Sequence, residues 1–138
     1  MPSRSALEVA VEALARRDRS AAELAAYLAR RGARPEDAAA ALDRLAEAGY
    51  LDDARFAASR AEALARRGYG DEAIRADLER RSLDRELVEE ALAGLEPEAE
   101  RALALAGRLG AGAATARRLT AKGFSPDAVA SALARDAG

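Results

Sequence analysis

The chain has 138 residues, 50% of them apolar but 4% aromatic, with 22 basic and 24 acidic residues and a formal net charge of -2. With neither Cys nor His, disulfides, thiol chemistry, zinc sites of the usual Cys/His kind and a Ser-His-Asp triad are excluded. The slightly acidic balance argues against a generally basic nucleic-acid coat, and no apolar run nears the roughly 20 residues that cross a bilayer.

The opening Met1-Pro2-Ser3-Arg4-Ser5 leads straight into a helix. It lacks the apolar stretch of a signal peptide, so a soluble cytoplasmic protein is expected. Ser5 and Glu8 have the spacing of a capping box, and Leu7, Val11 and Leu14 mark one helical face. Ser20 and Glu23 start a second helix, with Leu24 and Leu28 facing a core and Gly32 at its end. Pro35 suits the first turn of a third helix carrying Ala38, Leu42 and Leu45.

The pattern then recurs. Ser20-Ala-Ala-Glu-Leu24 through Leu28 to Gly32 aligns without a gap on Gly70-Asp-Glu-Ala-Ile74 through Leu78 to Ser82. Thr115 to Gly123-Phe124 is a third copy, with Leu119 and Gly123 where Leu28 and Gly32 fall, and Leu42, Leu92 and Leu133 are equivalent. The middle copy predicts helices over about 53–67, 71–81 and 84–95, the last with a stripe of Leu83, Leu87, Val88, Ala91, Leu92 and Leu95. In the third copy Pro97 opens a helix to about Leu109, Gly110-Ala111-Gly112 breaks it, and Ser125-Pro126 caps a last helix with Val129 and Leu133 inward. Nothing alternates with a period of two, so no strand is predicted.

The fold expected is therefore all-α. It comprises three tandem three-helix repeats, each helix-turn-helix-like, over residues 1–50, 51–95 and a shortened 96–138. One copy cannot bury its own apolar face, so the copies stack into an elongated body.

Three features bear on chemistry. Asp52 and Asp53 stand at a helix start. Metal or acid-base work is one reading; capping of free amides is the stronger one, because no third ligand lies at helical spacing on that face. Phe56 reads as a core anchor, and Tyr50 either packs or offers its hydroxyl to a partner. Gly68-Tyr69-Gly70 reads as a tight turn with unusual backbone angles. It lacks the Lys-Ser/Thr ending of a nucleotide loop. Finally, Arg16-Arg17, Arg30-Arg31, Arg66-Arg67, Arg80-Arg81 and Arg117-Arg118 recur near helix C-termini, where cations suit the dipole. Arg30-Arg31 and Arg80-Arg81 are equivalent, which leaves two readings: a basic ridge along the body, or a solvated surface.

The segment Gly49-Tyr50-Leu51-Asp52-Asp53-Ala54-Arg55-Phe56-Ala57 resembles the signature of the RecX family of recombinase regulators. Gly68-Tyr69-Gly70, Ile74, Leu78 and the helix from Leu83 to Leu92 extend the likeness. Ala116-Arg117-Arg118-Leu119 and Lys122-Gly123-Phe124-Ser125 are similar to the family's C-terminal motif. The resemblance implies three three-helix repeats in a curved, right-handed body. It implies binding in the helical groove of the RecA–DNA filament and inhibition of RecA's ATPase, strand exchange and co-protease activity. It implies no catalytic residue, cofactor or metal. Single- or double-stranded DNA is a further contact, and a monomer is expected. The expected partner contacts are Tyr50, Arg55, Arg60, Arg66, Arg67, Arg75, Arg80 and Arg81 of the middle copy, with Arg117, Arg118 and Lys122 of the third. Leu51, Asp52, Asp53, Phe56, Gly68, Gly70, Gly123 and Phe124 are expected to shape the motif. The rival reading is a DNA-binding protein of tandem helix-turn-helix-like units, although no predicted recognition helix exposes a clear set of Arg, Asn or Gln.

Overall fold

A computed structural model describes residues 4–137. Met1, Pro2 and Ser3, read above as the lead into the first helix, and Gly138 lie outside them. Among the described residues there are helices and no strand: α1 (Ala6–Arg16), α2 (Ala21–Arg30), α3 (Pro35–Glu47), α4 (Asp53–Arg66), α5 (Asp71–Arg80), α6 (Arg85–Ala93), α7 (Glu98–Leu109), α8 (Ala113–Ala121) and α9 (Pro126–Ala137). None of these helices is long and apolar enough to cross a membrane.

Local chemistry sets the ends. Ser20 and Glu23 close a full capping box, each side chain bonded to the other's backbone N–H; Ser5 makes the forward half, accepting from Glu8 N at 3.1 Å. Pro35 is the first residue of α3, where its missing N–H costs nothing. Gly32, Gly49, Gly68 and Gly123 have positive φ just past a helix, the left-handed conformation that closes a C-terminus. Ser82 holds the same place after α5 with φ 58, a position where a side chain is strained. Gly110, with φ 98 and ψ 166, instead turns the chain out of α7 in an extended form.

Burial sorts into three small cores. The first joins Ala10, Ala13, Leu24, Leu28, Ala38, Ala41, Leu45 and Leu51. The second gathers Ala57, Ala61, Leu64, Ile74, Leu78, Leu83, Val88, Ala91 and Leu92, and the third is built on Ala102, Ala106, Leu119, Phe124, Ala128, Val129 and Ala132. Every closely packed pair of helices lies within α1–α3, α4–α6 or α7–α9. Leu51, the first residue of the expected second repeat, is buried in the first core.

One face differs from the sequence reading. In α1 the fully buried residues are Ala10 and Ala13, while Val11 is 49% exposed and Leu7 and Leu14 are half-buried. Alanines let α1 lie close against α3, and close approach is what dense packing rewards. The larger side chains are left along the edge of that contact.

Contrary to the expectation that one copy cannot bury its own apolar face, each repeat closes its own core, and polar contacts join one repeat to the next. Between the first two repeats, Ser20 Oγ donates to Arg81 O (2.9 Å), Ala21 N donates to Asp53 Oδ1 (2.8 Å), and Arg81 Nη1 reaches Glu23 Oε2 (2.9 Å). Between the second and third, Gly70 N donates to Lys122 O (2.8 Å), Glu72 N to Gly123 O (3.1 Å) and Asp71 N to Glu98 Oε2 (2.8 Å). The two joints share a plan. The N-cap residue of one repeat's second helix bonds the C-cap carbonyl of the next repeat's second helix. The first acidic residue of the next repeat's first helix then caps the same N-terminus. So α8, α5 and α2 meet end to end, C-terminus to N-terminus, with their dipoles aligned favourably.

Candidate functional site

The signature segment sits at the first joint. Asp52 is the N-cap of α4, with Oδ1 accepting from Arg55 N at 3.0 Å. Asp53 does not cap its own helix: it accepts from Ala21 N and so caps α2 of the preceding repeat. Phe56 is half-buried against the second core, with the Arg81 guanidinium 5.9 Å from its ring. Tyr50 stands 70% exposed. Arg55 donates to Gly49 O (3.1 Å), which ties the motif back onto its own loop. Tyr50 and Arg55 thereby line one end of a groove of about 680 Å³ whose floor is the Leu7, Val11 and Leu14 face of α1.

Gly68 and Gly70 serve different needs. Gly68 has φ +87, whereas Gly70 is an ordinary extended residue. A Cβ at Gly70 would stand 2.4 Å from Phe124 N, so two backbones touch there. Gly123 needs both: φ +93, and a Cβ would meet Ala73 Cβ at 2.5 Å. Phe124 is buried in the third core.

The expected contact arginines divide into two groups. Arg60 pairs with Asp77 through two bonds of 3.0 and 2.9 Å. Arg81, the C-cap of α5, holds Asp77 at 3.0 Å one turn back and Glu23 across the joint. Bonds from Arg60 first, and then from Arg81, hold the Asp77 carboxyl down to about 2 against its burial; the same bond raises the pKa of Arg60. Arg75 bonds Glu89 and Glu72, which raises its pKa and lowers that of Glu89. These three arginines are spent on internal carboxylates. Arg80 is exposed and approaches Asp77 to 3.8 Å. The equivalent pairs Arg30-Arg31 and Arg80-Arg81 therefore do not form one ridge, since Arg81 is neutralised inside the joint.

Arg66, Arg67, Arg117, Arg118 and Lys122 form no ion pair among the described residues. Three of them converge. Arg67, Arg118 and Lys122, joined by Arg108, surround a cleft of about 340 Å³ between the second and third repeats. Leu105, Leu109 and Leu119 line it, and no carboxylate does. Lys122 Nζ lies 3.7 Å from the centre of the Tyr69 ring and Arg67 5.4 Å from it, contacts that orient both cations.

Sequence reasoning missed several residues that matter. Arg108 carries no motif. Glu98 and Arg101 build the second joint: Glu98 takes Asp71 N, Ser125 N and Ser125 Oγ, and Arg101 holds Asp71 and Tyr69 O. An acid at the first position of both α4 and α7 was the available signal. In the first repeat, Arg16, Arg19, Arg30 and Arg31 gather around Tyr27, the two nearest guanidiniums 4.6 and 4.7 Å from its ring centre. Burial, with the charge of Arg17 behind it, pushes the pKa of Arg19 down.

Comparison with known proteins gives this architecture a family. The model described as "RecX, first three-helix domain" matches residues 6–45, and that described as "RecX, second three-helix domain" matches residues 52–92. The chain is similar to the "Regulatory protein RecX" of Chromohalobacter salexigens, 45% identical over 89 residues, 64% of this chain and 59% of that one. It is 47% identical to that of Pseudomonas syringae pv. tomato over 83 residues, 60% of this chain and 54% of the relative. The matched segment thus spans a little over half the length of these relatives. The crystal structure of RecX from Lactobacillus salivarius superposes with a TM-score of 0.82, covering 94% of this chain and 93% of that one at 18% identity. A second, titled "Crystal structure of regulatory protein RecX", gives 0.74 over 89% and 68% at 23% identity. At these identities the two structures establish the helical-repeat fold alone. With both domain models matched in order on the first two three-helix units, the chain belongs to the RecX family.

Proposed function

We propose that this chain is a non-enzymatic cytoplasmic regulator that lodges in the helical groove of RecA–DNA filaments and lowers RecA's ATPase, strand exchange and co-protease activity. Family membership supports the class of function. The observation that carries the reading to particular residues is the sorting of the cations. Arg60, Arg75 and Arg81 are bound to carboxylates of their own chain. Arg67, Arg118 and Lys122 face an open cleft with none. We therefore assign contact to Tyr50, Arg55, Arg66, Arg67, Arg80, Arg117, Arg118 and Lys122, and support of the fold to Arg60, Arg75 and Arg81. Several modest patches on jointed repeats add through effective concentration when they reach neighbouring subunits together.

The test is the DNA-stimulated ATPase of the cognate RecA, titrated with this protein. Inhibition well below one molecule per RecA is expected. Arg117→Glu with Arg118→Glu should weaken inhibition by roughly tenfold or more, as charge reversal at a contact does, with helicity unchanged by circular dichroism. No effect of the folded wild-type protein at equal amounts would end the reading.

Direct DNA binding is a second reading with one observation in its favour, the guanidiniums of Arg16, Arg19, Arg30 and Arg31 around Tyr27. Phosphate contacts of that kind are strongly salt-dependent. Tight, salt-sensitive binding to bare DNA that is lost in Arg30→Glu with Arg31→Glu would favour it.

A further inference from the structure

The cleft between the second and third repeats is unlike the rest of the surface. Although the molecule carries net negative charge, four cations from three elements converge on it: Arg67 at the end of α4, Arg108 in the last turn of α7, and Arg118 and Lys122 at the end of α8. None of the four has an ion-pair partner among the described residues, whereas Arg101, nearby on α7, is bound to Asp71. The floor is aliphatic, and Leu109 is 42% exposed there.

Like charges held together without counter-ions repel, and a cleft walled in this way attracts an anionic ligand. A leucine floor adds a second demand, because exposed aliphatic surface is satisfied by another apolar group. A nucleic-acid backbone meets the first demand and not the second. Bases seek an aromatic platform, and the face of Tyr69 is already covered by Lys122. We infer that this cleft docks an acidic peptide segment of a protein partner, its carboxylates on Arg67, Arg108, Arg118 and Lys122 and one large apolar side chain on Leu105 and Leu109. The inference rests on the filament reading only for where that peptide comes from; the chemistry of the cleft stands apart from it.

The experiment is fluorescence anisotropy of the full chain with three labelled probes. One is an acidic peptide of alternating Glu and Gly with a single central Leu. The second has Ser in place of that Leu, and the third is a single-stranded oligothymidylate of equal charge. The Leu peptide should bind several-fold more tightly than the Ser peptide. Arg108→Glu with Arg118→Glu should weaken it roughly tenfold or more. Leu109→Ser should erase the preference for Leu while leaving most of the charge-driven binding, so the two variants report on the two halves of the site. All these side chains are exposed or at the surface edge, so retained helicity is the check on folding. Equal binding of the two peptides would overturn the inference, as would tightest binding of the oligothymidylate with loss in the same variants. If the Leu peptide binds as described while RecA's ATPase is untouched by the protein, the filament reading fails and the peptide site stands.

Discussion

Two glycines at equivalent positions show how much a single residue's surroundings decide. Gly70 and Gly112 are both N-caps of second helices, both with extended backbone. At Gly70 a Cβ would be driven into the backbone of Gly123 and Phe124 at 2.4–2.5 Å; at Gly112 it would meet nothing within 4 Å. Neither backbone contact can yield cheaply, because Gly70 N also donates to Lys122 O. Gly70→Ala should destabilise the protein by about 1–3 kcal/mol in urea unfolding, the range for forcing atoms into a packed site. Gly112→Ala should change stability by less than about 1 kcal/mol. The sequence made the pair Gly68 and Gly70 visible as a turn. It did not separate their reasons, since Gly68 needs a positive φ and Gly70 needs room for a backbone about fifty residues further along the chain.

At the scale of helices, the apolar period and the capping residues made nearly all the boundaries legible, because these are local properties. Partnership was not legible, as Asp53 illustrates. Its place in the first turn of α4 suits a carboxylate to that helix's own dipole. The structure spends its oxygen on Ala21 N, 32 residues earlier. Capping bonds of this kind contribute about 0.5–2 kcal/mol. The two adjacent acids can thus be told apart by where each is felt. In Asp53→Ala, hydrogen exchange should speed up at the Ala21 amide and through the first turn of α2. In Asp52→Ala it should speed up at Arg55 and the first turn of α4. If Asp53→Ala loosens α4 alone, Asp53 is not a joint residue. The recurrence of the device, with Glu98 on Asp71 N at the second joint, was written in the sequence as an acid at the same helical position. Only the stacking of repeats shows what that acid is for.

For the whole molecule, three small cores linked by polar joints make a chain of semi-independent units, whose coupling depends on a few charges. The first joint is pH-sensitive by construction. Asp77 orients Arg81, which crosses to Glu23, and Asp77 also receives Arg60 from α4. Its carboxyl titrates at about 2 in the folded protein, against about 3.9 when unfolded. A depressed carboxylate pKa contributes stability that is fully present above the unfolded value and is lost as pH falls through the folded one. The window is therefore about pH 4 down to 2, and the contribution at stake is on the order of 2 kcal/mol. Asp77 keeps 14% of its side chain exposed and Arg60 keeps 32%, so salt should screen part of this contribution. Across that window wild-type stability should fall, and Asp77→Asn should show a flatter acid limb with lower stability at neutral pH. Arg81→Glu should go further at neutral pH. It sets three carboxylates together at the joint, so the first repeat should lose its coupling to the second and unfold as a separate step, with total helicity nearly unchanged in the absence of denaturant. A single cooperative transition in Arg81→Glu, at unaltered midpoint, would mean that the joint carries no coupling. Loss of RecA inhibition in that variant would then reflect contact rather than architecture.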